Sequence, residues 1–264
     1  EPPLGSGPYK VHTVQAGRNI TYKKVANYWG NSLPIRVGHN NFDIISYEYF
    51  RDTEVMMEAF KAGEYDLRRE WSASRWKNNY NFDAVNVGKI VLEELPNQRP
   101  AGMKAFVFNV RRKIFSEVAV RLAINQAFDF EWINKNLLHS SYKRTNSFFA
   151  NSDMASFGLP SKQELELLNP LKQIISPDIF IKPYKLPAST NSGGLRKNLM
   201  LANKILEDAG WKINNGVRSK VDPNGKLLEL KFEILLINPD NERIALSFVK
   251  NLKKIGVVAN IRTV

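Results

Sequence analysis

The apolar and polar positions divide the chain into short elements of two periods. Tyr9–Val14 and Ile20–Val25 alternate closely enough to pair as a hairpin, joined by the turn-like Ala16-Gly17-Arg18-Asn19. Phe42–Tyr49 is a further β-branched and aromatic run. Asp52-Thr53 can then cap a helix bearing Val55, Met56, Ala59 and Phe60, closed by Gly63, after which Glu64–Leu67 returns to extended chain. A serine-opened helix is expected over Ser72–Tyr80, and strands over Lys89–Leu95 and Met103–Asn109. The second of these is nearly continuous in apolar character, as a central strand would be. Helical spacing returns over Glu117–Ala127, through Val118, Leu122, Ile124 and Ala127, and over Asp129–Leu138. Residues 140–161 and 176–194 lack periodicity, and long loops of this kind are often binding surfaces. Lys197–Ala209 is helical and stops at Gly210, the turn Asp222-Pro223-Asn224-Gly225 leads into a strand over Leu228–Ile237, and a last helix over Asn241–Lys254 precedes a closing strand, Val257–Val264. Strands and helices in this order predict a mixed α/β (α+β) layered architecture with no internal repeat.

Composition narrows the classes. An apolar share of 43% and a charged share of 24% in 264 residues suit a folded globular chain of one or two domains. No apolar run approaches the ~18 residues of a membrane span. The chain opens on Glu1-Pro2-Pro3-Leu4 without the basic and apolar regions of a signal peptide, so it is expected either to be cytosolic or to start downstream of its signal. The absence of cysteine removes disulfides, thiolate nucleophiles and cysteine-held metals. A net charge of +12 raises the possibility of a polyanionic partner. The basic residues are dispersed, however, in short clusters such as Lys23-Lys24, Arg111-Arg112-Lys113 and Lys253-Lys254, whereas a nucleic-acid module concentrates them.

Motifs for catalysis are missing. His12, His39 and His139 form no closely spaced ligand pair, so no metal is expected. There is no nucleophile elbow and no lysine-bearing phosphate loop, and Glu93-Glu94 on a strand would point to opposite faces. What remains is aromatic–basic clustering: Arg68-Arg69-Glu70-Trp71, Arg75-Trp76, and Arg99 ahead of the Met103 run. Tryptophan supplies a flat apolar wall and arginine a bidentate fork for carboxylate or phosphate.

Several segments, taken in order, resemble family 5 of the bacterial extracellular solute-binding proteins. They are Gly5-Ser6-Gly7-Pro8-Tyr9, then Ala26-Asn27-Tyr28-Trp29-Gly30, then Phe60–Asp66, then Phe106–Asn109 leading through Arg111–Phe115 to Val120–Asp129, and finally Ala202–Gly210 and Lys254–Val257. Phe50-Arg51-Asp52, Glu58–Asp66 and Arg99–Arg112 look most like the YejA branch, whose members serve peptide importers, including one that takes up the peptide-nucleotide antibiotic microcin C. Ser116-Glu117 and Ala119 depart from the wider family pattern.

The resemblance implies a type II periplasmic-binding-protein-like fold, cut as a fragment: residues 1–48 would close lobe I and residues 49–264 would form most of lobe II, with a hinge near Tyr47–Arg51. It implies the soluble capture component of an ABC importer, extracytoplasmic and monomeric, binding peptides, including modified or anionic ones, in a cleft between two lobes and delivering them to membrane permease subunits. No cofactor and no catalysis are implied. Trp71, Arg99, Phe106, Phe108 and Asn109 are expected on the lobe II wall of that cleft, with Arg68, Arg69 and Arg75 available to an anionic group. A basic nucleic-acid-binding module is the alternative.

Overall fold

The computed structural model describes Pro3 and residues 5–190 and 193–264; Glu1, Pro2 and Leu4 of the opening, and Asn191 and Ser192 of the 176–194 stretch, lie outside the described residues. The chain divides into two compact units, residues 1–71 with 82–90, and residues 72–81 with 91–264. Residues 49–71 thus group with 1–48 by contact, which is a different property from the hinge expected near Tyr47–Arg51.

The first unit is built on a three-stranded antiparallel sheet. Strands β1 (Tyr9–Gln15) and β2 (Asn19–Lys24) form the expected hairpin, with Gly17 at φ 72° in a turn closed by Arg18 N–H on the Gln15 carbonyl. Strand β3 (Ile44–Glu48) adds to the far edge of β2. Helix α1 (Thr53–Lys61) starts where Asp52 Oδ1 accepts from the backbone N–H groups of Glu54 and Val55 at 2.7 and 3.1 Å. It ends in a Schellman motif: Gly63 at φ 78° donates to Phe60 O while Glu64 donates to Ala59 O. The buried face is Met57, Ala59 and Phe60, and Val55 is exposed. Glu64–Leu67 joins no strand. Helix α3 (Asp83–Asn86) also belongs to this unit.

The second unit holds a larger core. Helices α2 (Ala73–Asn78), α4 (Lys113–Ser116), α5 (Val118–Gln126), α6 (Phe130–Leu137), α7 (Lys162–Leu168), α8 (Asp178–Ile181), α9 (Gly194–Asp208) and α10 (Glu242–Lys254) accompany two small sheets. One sheet is the antiparallel meander β4 (Lys212–Asn214), β5 (Val217–Val221) and β6 (Leu227–Glu229). The other pairs β7 (Lys231–Leu236) in parallel with β8 (Val258–Thr263), the two joined through α10 as a βαβ unit. α5 packs on α9 and α10 on β8, burying Val120, Ala123, Ile124, Ala202, Leu206, Phe248, Leu252 and Trp211.

Three expectations need correction. The buried side of α5 is Val120, Ala123, Ile124 and Ala127, whereas Val118 and Leu122 are exposed. The run expected as one strand over Leu228–Ile237 is two strands of different sheets, divided at Leu230, whose N–H bonds to Arg218 O while its carbonyl accepts from Val258 N. Neither Lys89–Leu95 nor Met103–Asn109 enters a ladder among the described residues. The second segment still alternates, with Phe106 and Phe108 packed on the core and Val107 90% exposed between them. Period-two patterning dictates which way side chains face, but a ladder also needs a free neighbouring edge.

Arg218 locks this unit together. Its side chain is fully buried, and it donates from Nη1 to Trp211 O at 2.8 Å, from Nε to Ile255 O at 3.1 Å and from Nη2 to Asn203 Oδ1 at 2.7 Å and Glu207 Oε1 at 3.2 Å. Trp211 and Ile255 follow the C-terminal ends of α9 and α10, where carbonyls lack helical partners and a cation is favoured. One guanidinium therefore ties the C-cap carbonyl of α10 to the chain that leaves α9. Gly256, at φ 76°, passes so close that an added Cβ would meet Arg218 Cγ at 3.0 Å.

Candidate functional site

In the first unit the run Arg68–Trp71 separates into an inner and an outer part. Arg68 and Glu70 form an ion pair at 3.1 Å with side chains only 4% and 3% exposed, and Arg68 Nη1 also donates to Tyr65 Oη, itself bonded to Met56 O. A buried pair of this kind is held by its partners, since either charge alone would be strongly penalised. Arg68 is thus tied internally. Arg69 and Trp71 face out: the guanidinium carbon lies 3.9 Å from the Trp71 ring centroid, and Trp71 is 69% exposed. The two make a flat cationic plate.

In the second unit, Ser72 Oγ caps α2 by accepting from Arg75 N, which places the half-buried Arg75 in the first turn. Arg99 is exposed in a segment that is latched rather than loose. Asn151 Nδ2 donates to Asn97 O at 2.7 Å and to Arg99 O at 2.9 Å, and Ala101 N donates to Ala150 O at 2.7 Å. Phe106 stacks on Phe248 at 5.4 Å and meets Phe128 edge-on at 6.0 Å, while Phe108 tilts against Phe115 at 5.3 Å. Both phenylalanines therefore serve the core, and the outward face of their segment is Ala105, Val107 and Asn109. Asn109 Oδ1 accepts from Arg111 N and Nε at 3.3 and 3.4 Å, orienting that basic cluster.

The irregular 140–161 stretch is the part of this surface that sequence patterning does not resolve into residues. It is anchored on α6, where Asn134 Nδ2 donates to Tyr142 O and Asn134 Oδ1 accepts from Tyr142 N. Lys104 Nζ lies 5.8 Å from the Tyr142 ring, and Phe148 and Phe157 are both 79% exposed. Loop 140–157 meets loop 97–101 through Asn151 and Ala150 and meets the extended segment through Tyr142 and Lys104, so basic and aromatic residues of all three are neighbours in this unit. Among the described residues no cluster of three His, Asp or Glu side chains could hold a metal ion. No described helix is long and apolar enough to cross a membrane.

Comparison with known proteins gives this arrangement a context. The family model described as "Bacterial extracellular solute-binding proteins, family 5 Middle" matches residues 1–264. The chain is 43% identical over 266 aligned positions to "Probable peptide-binding protein YejA" of Agrobacterium fabrum, covering 100% of this chain and 43% of that protein. It is 40% identical over 271 positions to "Peptidoglycan-binding protein YepA" of the same organism, again covering 100% and 43%. Among solved structures, the oligopeptide-binding protein AppA from Bacillus subtilis in complex with a nonapeptide superposes with a TM-score of 0.60 at 20% identity, over 98% of this chain and 42% of that one. The chain thus spans less than half the length of the relatives it matches, and its fold is that of periplasmic binding proteins.

Proposed function

Since the chain belongs to family 5 of the bacterial extracellular solute-binding proteins, we propose that it is part of the substrate-capture component of an ABC importer for peptides, with acidic peptides the favoured class. The whole protein would be extracytoplasmic, monomeric and non-catalytic, and would hand its ligand to membrane permease subunits. Residues 1–48 would close one lobe and residues 49–264 would form most of the other, hinged near Tyr47–Arg51. Such a protein binds extended backbone through main-chain hydrogen bonds and accommodates varied side chains in wet pockets.

The observation that carries this reading is the exposed Arg69–Trp71 plate, which has a charge and a flat apolar face and no packing role on its outer side. In the second unit Arg99, Arg75, Asn109 and the outward face around Val107 would offer a ligand surface of that unit's own, in place of the core-packed Phe106 and Phe108, and in the first unit Arg69 and Trp71 stand in place of the paired Arg68. A net charge of +12 and a relative named for binding peptidoglycan both favour ligands with carboxylates, cell-wall peptides included. Nothing in the fold or the comparisons supports a nucleic-acid-binding module.

The test is calorimetry on the full-length protein, using peptide identified by mass spectrometry of co-purified ligand. Trp71→Ala and Arg99→Ala should each weaken binding about tenfold or more, as loss of an interfacial aromatic or arginine anchor typically does. Unchanged affinity in both variants would remove the ligand assignment.

A further inference from the structure

Buried and half-buried guanidinium groups among the described residues mostly meet acceptors. Arg218 makes four hydrogen bonds, Arg68 pairs with Glu70, and Arg121 Nη1 donates to Phe115 O and Ser116 O. Arg144 does not. Its guanidinium carbon lies 4.9 Å from the Phe128 ring centroid and 5.4 Å from that of Phe130, and its Nε is buried without a hydrogen-bond partner. Among the described residues it also forms no ion pair. The nearby acids are held elsewhere: Ser189 Oγ donates to Asp129 Oδ1 and Glu131 Oε2, and Ser189 N donates to Glu131 Oε2 at 3.0 Å. Burial pushes the Arg144 guanidinium below its ordinary range, against the opposing fields of Glu131 and Tyr184.

A guanidinium carries five N–H donors in a planar fork, and the two phenyl faces attract its charge while accepting none of those protons. The half-buried fork is thus held against aromatic rings with its Nε buried and without an acceptor, which is the condition a planar anion relieves. Phe128 also meets Phe106 of the extended segment, and Tyr142, two residues before Arg144, carries Lys104 over its ring. The group therefore adjoins the basic and aromatic surface of the second unit.

We propose that Arg144, seated between Phe128 and Phe130, is a carboxylate-binding subsite that gives this protein its preference for acidic peptides. The inference rests on the peptide-capture reading and names the group that would set its ligand class. The carboxylate can belong to a side chain or to a peptide C-terminus, and the experiment separates the two.

The experiment is calorimetry on the full-length protein with three synthetic peptides: Ala-Glu-Ala, Ala-Gln-Ala, and Ala-Gln-Ala with an amidated C-terminus. Wild type should bind the peptide bearing the recognised carboxylate about tenfold or more tightly than its amide counterpart, as a bidentate charge-assisted pair requires. The Glu/Gln ratio reports a side-chain carboxylate and the acid/amide ratio a terminal one. Arg144→Met should bring that ratio to within about twofold while keeping affinity for the neutral peptide, and Arg144→Lys, which keeps charge without the fork, should fall between. Should the Met variant lose all binding, the ratio in the Lys variant decides. No acid preference in wild type, or an undiminished one in the variants, overturns the subsite and leaves peptide capture intact. Failure of wild type to bind all three peptides would remove the capture reading, and the subsite with it.

Discussion

Phe106 and Val107 are neighbours on one extended segment, and the structure gives them opposite duties. Phe106 stacks on Phe248 and edges Phe128, while Val107 is 90% exposed. Truncating a fully buried phenylalanine to alanine costs about 3–5 kcal/mol. Phe106 is half-buried, so the transfer and cavity contribution falls to about 2 kcal/mol, and losing two aromatic contacts adds roughly 1 kcal/mol. A loss of about 3 kcal/mol in a domain of this size lowers Tm by roughly 6–12 °C. Phe106→Ala should therefore lower the scanning-calorimetric transition of the full-length protein by that amount. Val107→Asp should move it by less than about 2 °C, since exposed substitutions stay within ~0.5 kcal/mol. On acidic-peptide affinity the order reverses: Val107→Asp puts a like charge on the ligand surface and should weaken binding about tenfold, equivalent to ~1.4 kcal/mol. A Phe106→Ala protein that melts within 2 °C of wild type would refute the core placement. A Val107→Asp protein with unaltered peptide affinity would refute the outward face as ligand surface.

Arg218→Met should be among the most damaging substitutions, losing about 3–5 kcal/mol in denaturant titration, because it strands the carbonyls of Trp211 and Ile255 and leaves Glu207 and Asn203 without their donor; a loss under about 1 kcal/mol would contradict that bridging role. Gly256→Ala should cost about 1–3 kcal/mol in the same assay, since it forces both a positive φ and a 3.0 Å approach to Arg218. The carboxyls of Asp222 and Glu164 both lie below the ordinary carboxylate range. For Asp222 the causes are first the Lys226 backbone N–H and then Lys113, and for Glu164 they are the Ser161 backbone N–H and then its hydroxyl. Their stabilisation is present above the unfolded carboxylate pKa of about 4 and is lost as pH falls through the lower folded values. An acid melt of Asp222→Asn should accordingly be flatter below about pH 4 than that of wild type, and parallel curves would contradict the assignment.

Local signals with a backbone mechanism were legible in the sequence. Asp52, Ser72 and Asp129 cap the helices they precede, and Gly63 and Gly210 stop helices in left-handed conformations. Asn215-Gly216 between β4 and β5 is a further signal of this kind, and its φ values of 49° and 80° are those of a type I′ hairpin turn. The face of α5 was not legible in this way. Val118 and Leu122 compete with Val120 and Ala123 for the inward side, and the contest is decided by Ala202 and Leu206 on α9, which no local window contains. Arg218 is harder still, because its partners lie 7, 11, 15 and 37 residues away and nothing in the pattern marks a buried arginine.

The candidate site follows the same division. Clustering of arginine beside tryptophan pointed to residues 68–71, but adjacency in sequence cannot say which arginine faces inward. Glu70 decides it, drawing Arg68 into a buried pair and leaving Arg69 to lie on Trp71. The same logic applies to the charge of +12. Arg68, Arg218 and Lys220 are already matched by Glu70, Glu207 and Glu117, and Lys113 by Asp222. The cations that form no ion pair among the described residues include Arg69 in one unit and Arg99 and Arg144 in the other, three that a ligand can meet. Two of these three rest against aromatic rings. A guanidinium fixed against a ring loses less freedom when it takes a carboxylate than one on a free side chain does. Binding strength here should therefore depend on the rings as well as on the charges. Phe130→Leu, which removes one face from Arg144 and keeps the apolar volume, should weaken acidic-peptide binding severalfold in calorimetry while leaving neutral-peptide binding unchanged. An equal loss for both peptides would mean that the ring acts only through packing.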